Sequence, residues 1–377
     1  MTTITDHPTT TDWMALAAEA AEDLRAGAAA ADASGALSPE AYHRLRDLGI
    51  TRALVPTEFG GGGATHHDMG QMLRILATGD PSVAVTLSMH SHLVAFQLWR
   101  HRHGQDASPV FSKVVDGAIL VSTGASDWIG SNRTTTKVDG GYRVTARKSP
   151  ASGCEIGTIA VTSARSEDAP DGPSVIHCAI PMAAEGVSIE ETWDTVGLRA
   201  TGSHTIVFRD VFVPDAAVSL VRPADVWHPV WNIVIGAAMP LITAAYVGIA
   251  DRAVGLALEA AAGTTDPALT QLVGEMLNQH TIAVDVTDAM FVSADDLRFA
   301  NSDEHSARTL SRKTAAADAA IATVELAMTV VGGRGFCRTD EMARLLRDVH
   351  GVGFHPLPRH RQRDLTGRVA TGQAPVG

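Results

Sequence analysis

The stretch of residues 331–368 reads VGGRGFCRTDEMARLLRDVHGVGFHPLPRHRQRDLTGR. Its adjacent glycines, Gly332 and Gly333, follow an alanine-rich helical run and permit the positive φ at which helices commonly end. Beyond a charged turn, Met342, Leu345, Leu346 and Val349 recur at helical spacing. They predict a short amphipathic helix over Glu341–Val349 with those four side chains facing inward. The chain then turns irregular and delivers Phe354, His355 and Pro356 to one spot.

Upstream of this stretch the pattern stays helical back to about Trp231. Trp231–Ala250 holds twenty residues without a charge, long enough to cross a membrane. Pro240, the many small residues and a helical pattern that continues into Asp251 and Arg252 favour a buried bundle helix. From Ala118 to Val213 the texture differs: Val, Ile and Thr alternate with polar residues in runs such as Tyr142–Ala146 and Thr158–Ser163, and Asp139-Gly140-Gly141 marks a turn. Residues 12–50 return to helical spacing, with Ser38 before Pro39 as a helix start. The expected fold is a multidomain α+β protein: an N-terminal helical domain (1–117), a middle β domain of short strands (118–228) and a C-terminal four-helix bundle (229–377). Strands and helices do not alternate, so a Rossmann sheet is not expected.

The 377 residues suffice for a large core, and a net charge of −12 argues against a nucleic-acid partner. The three cysteines, Cys154, Cys178 and Cys337, are too few and scattered for a disulfide framework or a zinc site, which fits a reducing cytoplasm. MTTITDHPTTTDW has neither a basic stretch nor an apolar run, so no signal peptide is expected. The glycines of LVPTEFGGGGAT (54–65) match no phosphate-binding pattern and read as a loop. His90 and His92, two apart on a predicted helix, face different ways and cannot chelate one metal together.

Five landmarks in order, LVPTEFGG (54–61), GDPSVAVTLSMHSHL (79–93), ILVSTGAS (119–126), WDTVGLRATGSHTIVFRDVFVP (193–214) and GGRGF with RLLRDV (332–349), resemble the acyl-CoA dehydrogenase superfamily over nearly the whole chain. The resemblance implies a flavin between the β domain and the C-terminal bundle, and a homo-oligomer, dimer or tetramer. It places Ser122 beside the flavin ring, Gly130 and Ser131 near the phosphate, Ser152 near N5, and Gly332 and Gly333 in a segment lying against the cofactor. A serine after a β turn ordinarily just caps the turn, and the flanking matches are what single out Ser152.

The chain also departs from the family pattern. The two positions where its dehydrogenases carry a glutamate base hold Pro356 and Ala238, and neither can accept a proton. The arginine and phenylalanine that would hold the adenine diphosphate of FAD are missing from Glu259–Gln271, and Thr329 replaces an expected glutamine. These losses resemble the flavin-dependent monooxygenase branch, which includes dibenzothiophene monooxygenase and amino-sugar N-oxygenases. That resemblance implies His90, Ser152 and His355 as catalytic residues, and FMN or FAD, supplied reduced by a separate reductase, as cofactor. Oxygen chemistry on a reduced flavin needs hydrogen-bond donors and a group titrating near neutrality, which a histidine provides. His92, His350 and His360 are expected to be structural or solvent-facing.

The leading expectation is therefore a monooxygenase acting on a small organic substrate. An acyl-CoA or acyl-carrier-protein dehydrogenase using another base, and a flavin-free relative without catalysis, are the competing readings.

Overall fold

The computed structural model describes residues 11–123, 127–131, 134–167 and 172–376. The first ten residues and Gly124–Ser126, the end of the third landmark, lie outside them. The chain opens with five helices: α1 (Trp13–Ser34), α2 (Pro39–Asp47), α3 (His66–Gly79), α4 (Pro81–Arg102) and α5 (Ser108–Val115). Ser38 caps α2 by accepting from the Ala41 N–H, and Thr65 and Asp68 form a capping box on α3. Asp80 ends α3 and caps α4 through the Ser82 and Val83 amides, so two helices meet with only this residue between them.

Eight strands follow: β1 (Leu120–Ser122), β2 (Thr135–Val138), β3 (Gly141–Lys148), β4 (Ile159–Ser166), β5 (Ser174–Pro181), β6 (Val187–Glu190), β7 (Thr205–Pro214) and β8 (Val218–Pro223). They form two four-stranded sheets, ordered β1-β4-β5-β8 and β2-β3-β7-β6, antiparallel apart from the β1–β4 pair. Alternation along the strands sends Val144, Ala146 and Phe208 from one sheet and Ala160, Ile176 and Ile180 from the other into a shared core. No doubly wound parallel sheet is present among the described residues.

The C-terminal part holds three long helices, α6 (Val230–Ala261), α7 (Pro267–Ala294) and α8 (Asp303–Val331), completed by the short α9 (Glu341–Val349) and α10 (Arg359–Ala370). In α6 and α8 a window is long and apolar enough to cross a membrane, but that of α6 is 94% buried within the fold, as a core helix would be. The window of α8 is only 44% buried. Of the two, α8 leaves the larger part of its apolar window uncovered within one chain. In α9, Met342, Leu345 and Val349 face inward as expected, whereas Leu346 is half-buried and Arg344 and Asp348 are buried in its place.

Candidate active site

The site is built around the turn after α9. Gly197 sits against the backbone of Arg347 and Asp348 so closely that an added Cβ would lie 2.3 Å from the Arg347 carbonyl oxygen. Leu198, at φ 53°, donates its N–H to Asp348 Oδ1 at 2.6 Å, and Trp193 Nε1 donates to the Leu198 carbonyl at 2.9 Å. Burial raises the Asp348 carboxyl to about 7. These contacts lock the GLRATGS loop of the β domain onto the end of α9 and so fix where the following turn emerges. The α9 helix continues through a 3-10 turn at His350–Gly353, and His355 leaves it half-buried.

His355 meets the ring of Tyr246, on α6, edge-on at 5.5 Å between centroids. Neither of its ring nitrogens makes a hydrogen bond among the described residues. Burial, followed by the nearby charges of Lys313 and His92, lowers its pKa to about 3. The sequence suggests a group titrating near neutrality. The structure instead gives a neutral imidazole, because the surroundings penalise its cation.

The two helix-α4 histidines differ in how many of their ring nitrogens are already hydrogen-bonded. His90 is buried with both nitrogens committed: Nε2 donates to the Thr51 carbonyl at 2.8 Å, and Nδ1 accepts from the Leu120 N–H at 3.0 Å. It ties the start of β1 to the N-terminal helices and has no nitrogen left for a ligand. His92, read from sequence as structural, uses only Nδ1, which donates to the Ser88 carbonyl at 3.1 Å. It lies within electrostatic reach of His355, and burial lowers its own pKa to about 4. The i, i+2 spacing sends the two side chains to different faces but does not show which keeps a free nitrogen.

Ser152 is half-buried in the turn after β3 and accepts from Ser203 Oγ at 2.8 Å, with Thr201 Oγ1 a further 2.6 Å along the same file of hydroxyls. Its own hydrogen is left to donate outward. Ser122 ends β1 half-buried. Ser131 is committed elsewhere: its buried hydroxyl takes a hydrogen bond from Lys148 Nζ at 2.8 Å and belongs to a buried ion pair of Lys148 with Asp127, joined by Ser163. Gly130 lies against Asp225, whose Oδ1 would be 3.0 Å from an added Cβ. Gly332 and Gly333 are exposed, and added Cβ atoms would meet nothing within 4 Å. His355 thus stands beside Tyr246 with His92 within electrostatic reach, and Ser152 is hydrogen-bonded to Ser203 of the loop whose Leu198 is fixed to Asp348 at the end of α9. His90 and Ser131 are already engaged in hydrogen bonds within the chain.

A cleft of about 860 Å³ lies between α1, the 195–199 loop and the start of α9, and none of the site residues line it. Four of its five arginines are paired within the chain, Arg25 with Glu22, Arg199 with Asp194, Arg344 with Glu341 and Arg347 with Asp32, and Arg338 makes no ion pair among the described residues. Ala238, one of the two empty base positions, is buried within α6.

The acyl-CoA dehydrogenase N-terminal domain family matches residues 14–108 and its C-terminal domain family matches residues 236–354, together more than half of the chain. The chain belongs to the acyl-CoA dehydrogenase family. It is 28% identical to a putative acyl-CoA dehydrogenase, YdbM, of Bacillus subtilis, over 92% of this chain and 93% of that protein. The amino sugar nitrososynthase DnmZ of Streptomyces peucetius is also 28% identical, over 91% of this chain and 88% of its own. Among solved structures, KijD3 in complex with FMN and a dTDP-bearing ligand superposes with a TM-score of 0.85 at 25% identity, covering 98% of this chain and 95% of that one.

Proposed function

We propose that this protein is a flavin-dependent monooxygenase that takes reduced FMN from a separate reductase and oxygenates a small organic substrate. The observation that carries the reading is the replacement at the family's base positions. Pro356 and Ala238 offer no carboxylate, while His355 beside Pro356 is uncommitted and neutral. A dehydrogenase must remove a proton from carbon, and an imidazole held near a pKa of 3 is a poor base for that step. The N-oxygenating relative and the FMN complex of KijD3 support the same choice over the dehydrogenase reading suggested by YdbM.

The residues present suit a flavin ring. Reduced flavin, when bound, would supply the electrons with which dioxygen is divided between substrate and water. Ser152 would donate its free hydrogen to the ring. His355 would offer a neutral imidazole able to donate from one nitrogen and accept at the other, while His92, whose Nδ1–H is given to the Ser88 carbonyl, would offer Nε2 as an acceptor, so that both could hold a proton in place without adding charge. Tyr246, Leu198 and the buried turn would exclude water from the same space. For the cofactor's far end, Glu259–Gln271 contains no arginine to grip an adenine diphosphate, which favours FMN.

A dimer or tetramer is proposed on the apolar surface that α8 leaves open, together with the outward-facing Phe336 and Phe354. A cytoplasmic location is proposed on the three free cysteines.

The test is to mix the purified protein with photoreduced FMN and oxygen, using indole and isobutylamine as probes for an apolar aromatic and an amine substrate. Oxygenated product that depends on both reduced FMN and oxygen is expected. Tightly held FAD bleached anaerobically by an acyl-thioester would establish the dehydrogenase instead, and no affinity for any flavin would leave a non-catalytic relative.

A further inference from the structure

We propose that Lys313, on α8, is a positioning residue that clamps the His355 turn and holds its imidazole in the orientation the site uses. This rests on the reading of His355 given above, which assigned nothing to Lys313.

Lys313 is 3% exposed, a rare condition for a lysine, and it makes no ion pair within 4 Å among the described residues. Its ammonium donates instead to two backbone carbonyls, that of Val352 at 3.0 Å and that of His355 at 3.1 Å. The physical reason lies in α9. The helix runs on through the 3-10 turn and ends at Gly353, so carbonyls near its end lack helical partners and carry the negative end of the helix dipole. A cation placed there satisfies them and is stabilised by them, which offsets part of the cost of burying the charge.

The two accepting carbonyls bracket the backbone just before and at His355. Backbone rotation at Gly353 or Phe354 would swing the imidazole away, and two bonds to one buried ammonium oppose that rotation. Tyr246 sets the ring from the α6 side, and Lys313 holds the main chain from the α8 side. The same ammonium is one of two charged or titratable groups acting on the His355 ring, the other being His92, and both disfavour its protonation. A neutral amide or thioether at 313 would remove that contribution while burial remained.

The experiment compares Lys313→Met, which removes donor and charge at similar volume, with Lys313→Gln, which keeps a donor and removes the charge. Two readouts are used. The first is the imidazole carbon–proton NMR signal of His355, assigned by its loss in His355→Ala and followed through pH. The second is the rate of hydrogen peroxide release after photoreduced FMN is mixed with oxygenated buffer. A clamp predicts that Lys313→Met shifts and broadens the His355 signal and moves its titration toward the ordinary histidine value. Peroxide release should rise with FMN affinity unchanged, because a misplacement of about an ångström can cost on the order of 10²-fold in the productive step. Lys313→Gln should preserve a sharp His355 signal while still moving its titration, and it decides the question alone if the Met variant does not accumulate. A His355 signal and titration unchanged in either folded variant would overturn the proposal. If His355→Ala itself leaves peroxide release unaltered, the catalytic reading of His355 fails, and the NMR signal alone still decides whether Lys313 positions the ring.

Discussion

The ring of Tyr246 stands edge-on to the ring of His355, with centroids 5.5 Å apart and planes at 70°. One comes from the core helix α6 and the other from an irregular turn more than a hundred residues later, and the contact makes a rigid aromatic wall for an otherwise uncommitted imidazole. The Tyr246 hydroxyl is buried and has no hydrogen-bond partner among the described residues. Tyr246→Phe removes an unsatisfied polar group and keeps the wall, so stability to urea should be equal or higher. Tyr246→Ala should cost about 3–5 kcal/mol, as large aromatic truncations in cores do. A marked loss of stability in the Phe variant would mean that the hydroxyl has a partner.

His355→Ala should leave the circular dichroism spectrum and FMN affinity nearly intact, because the ring makes no hydrogen bond among the described residues. Product from a working probe substrate should fall ~10²-fold or more, the usual size of a proton-transfer contribution, while peroxide release rises. Wild-type behaviour in both assays would show the histidine to be structural.

The two histidines of α4 should separate cleanly. His90→Ala leaves the Thr51 carbonyl and the Leu120 amide unpaired in the interior, at about 1–3 kcal/mol for each unsatisfied group. Its melting temperature should drop, whatever happens to turnover. His92→Ala loses one hydrogen bond to Ser88 and should affect oxygen chemistry more than stability. If the effects are reversed, the assignment of His92 to the site is wrong.

Stability should fall on mild acidification. Burial lowers His66, His90, His92 and His177 to about 4 and His355 to about 3. Between the ordinary histidine value of 6.5 and these values the unfolded chain binds protons that the folded chain refuses. Each such group therefore favours unfolding by ~1.4 kcal/mol per pH unit across that window and has no effect above it. Asp348, raised to about 7, and Asp80, also raised by burial, act in the opposite sense, but they are two groups against five. Melting temperature recorded from pH 7.5 down to 4.5 should decline below about 6.5. A flat profile would mean that the histidine cluster is not excluded from protonation.

Much of the architecture was legible from residue order. Periodicity separated the helical and strand regions, Ser38-Pro39 and Asp80-Pro81 marked helix starts, and Gly332 marked the end of α8, because each depends on contacts within one or two turns. The empty base positions at Pro356 and Ala238 were equally plain, since a missing carboxylate is missing in any fold. Tertiary structure alone decided which polar groups remain available. His90 and His92 are equivalent in the sequence pattern, and only the approach of Thr51 and Leu120 from distant segments occupies one of them. Ser131 looked free until Lys148, Asp127 and Ser163 converged on it, and Lys313 gave no signal within its alanine-rich surroundings because its partners are backbone carbonyls some forty residues away. A hydrogen bond is made once, between whatever groups the fold brings within about 3 Å. Sequence spacing determines the elements, and packing between them determines which side chains are left for chemistry.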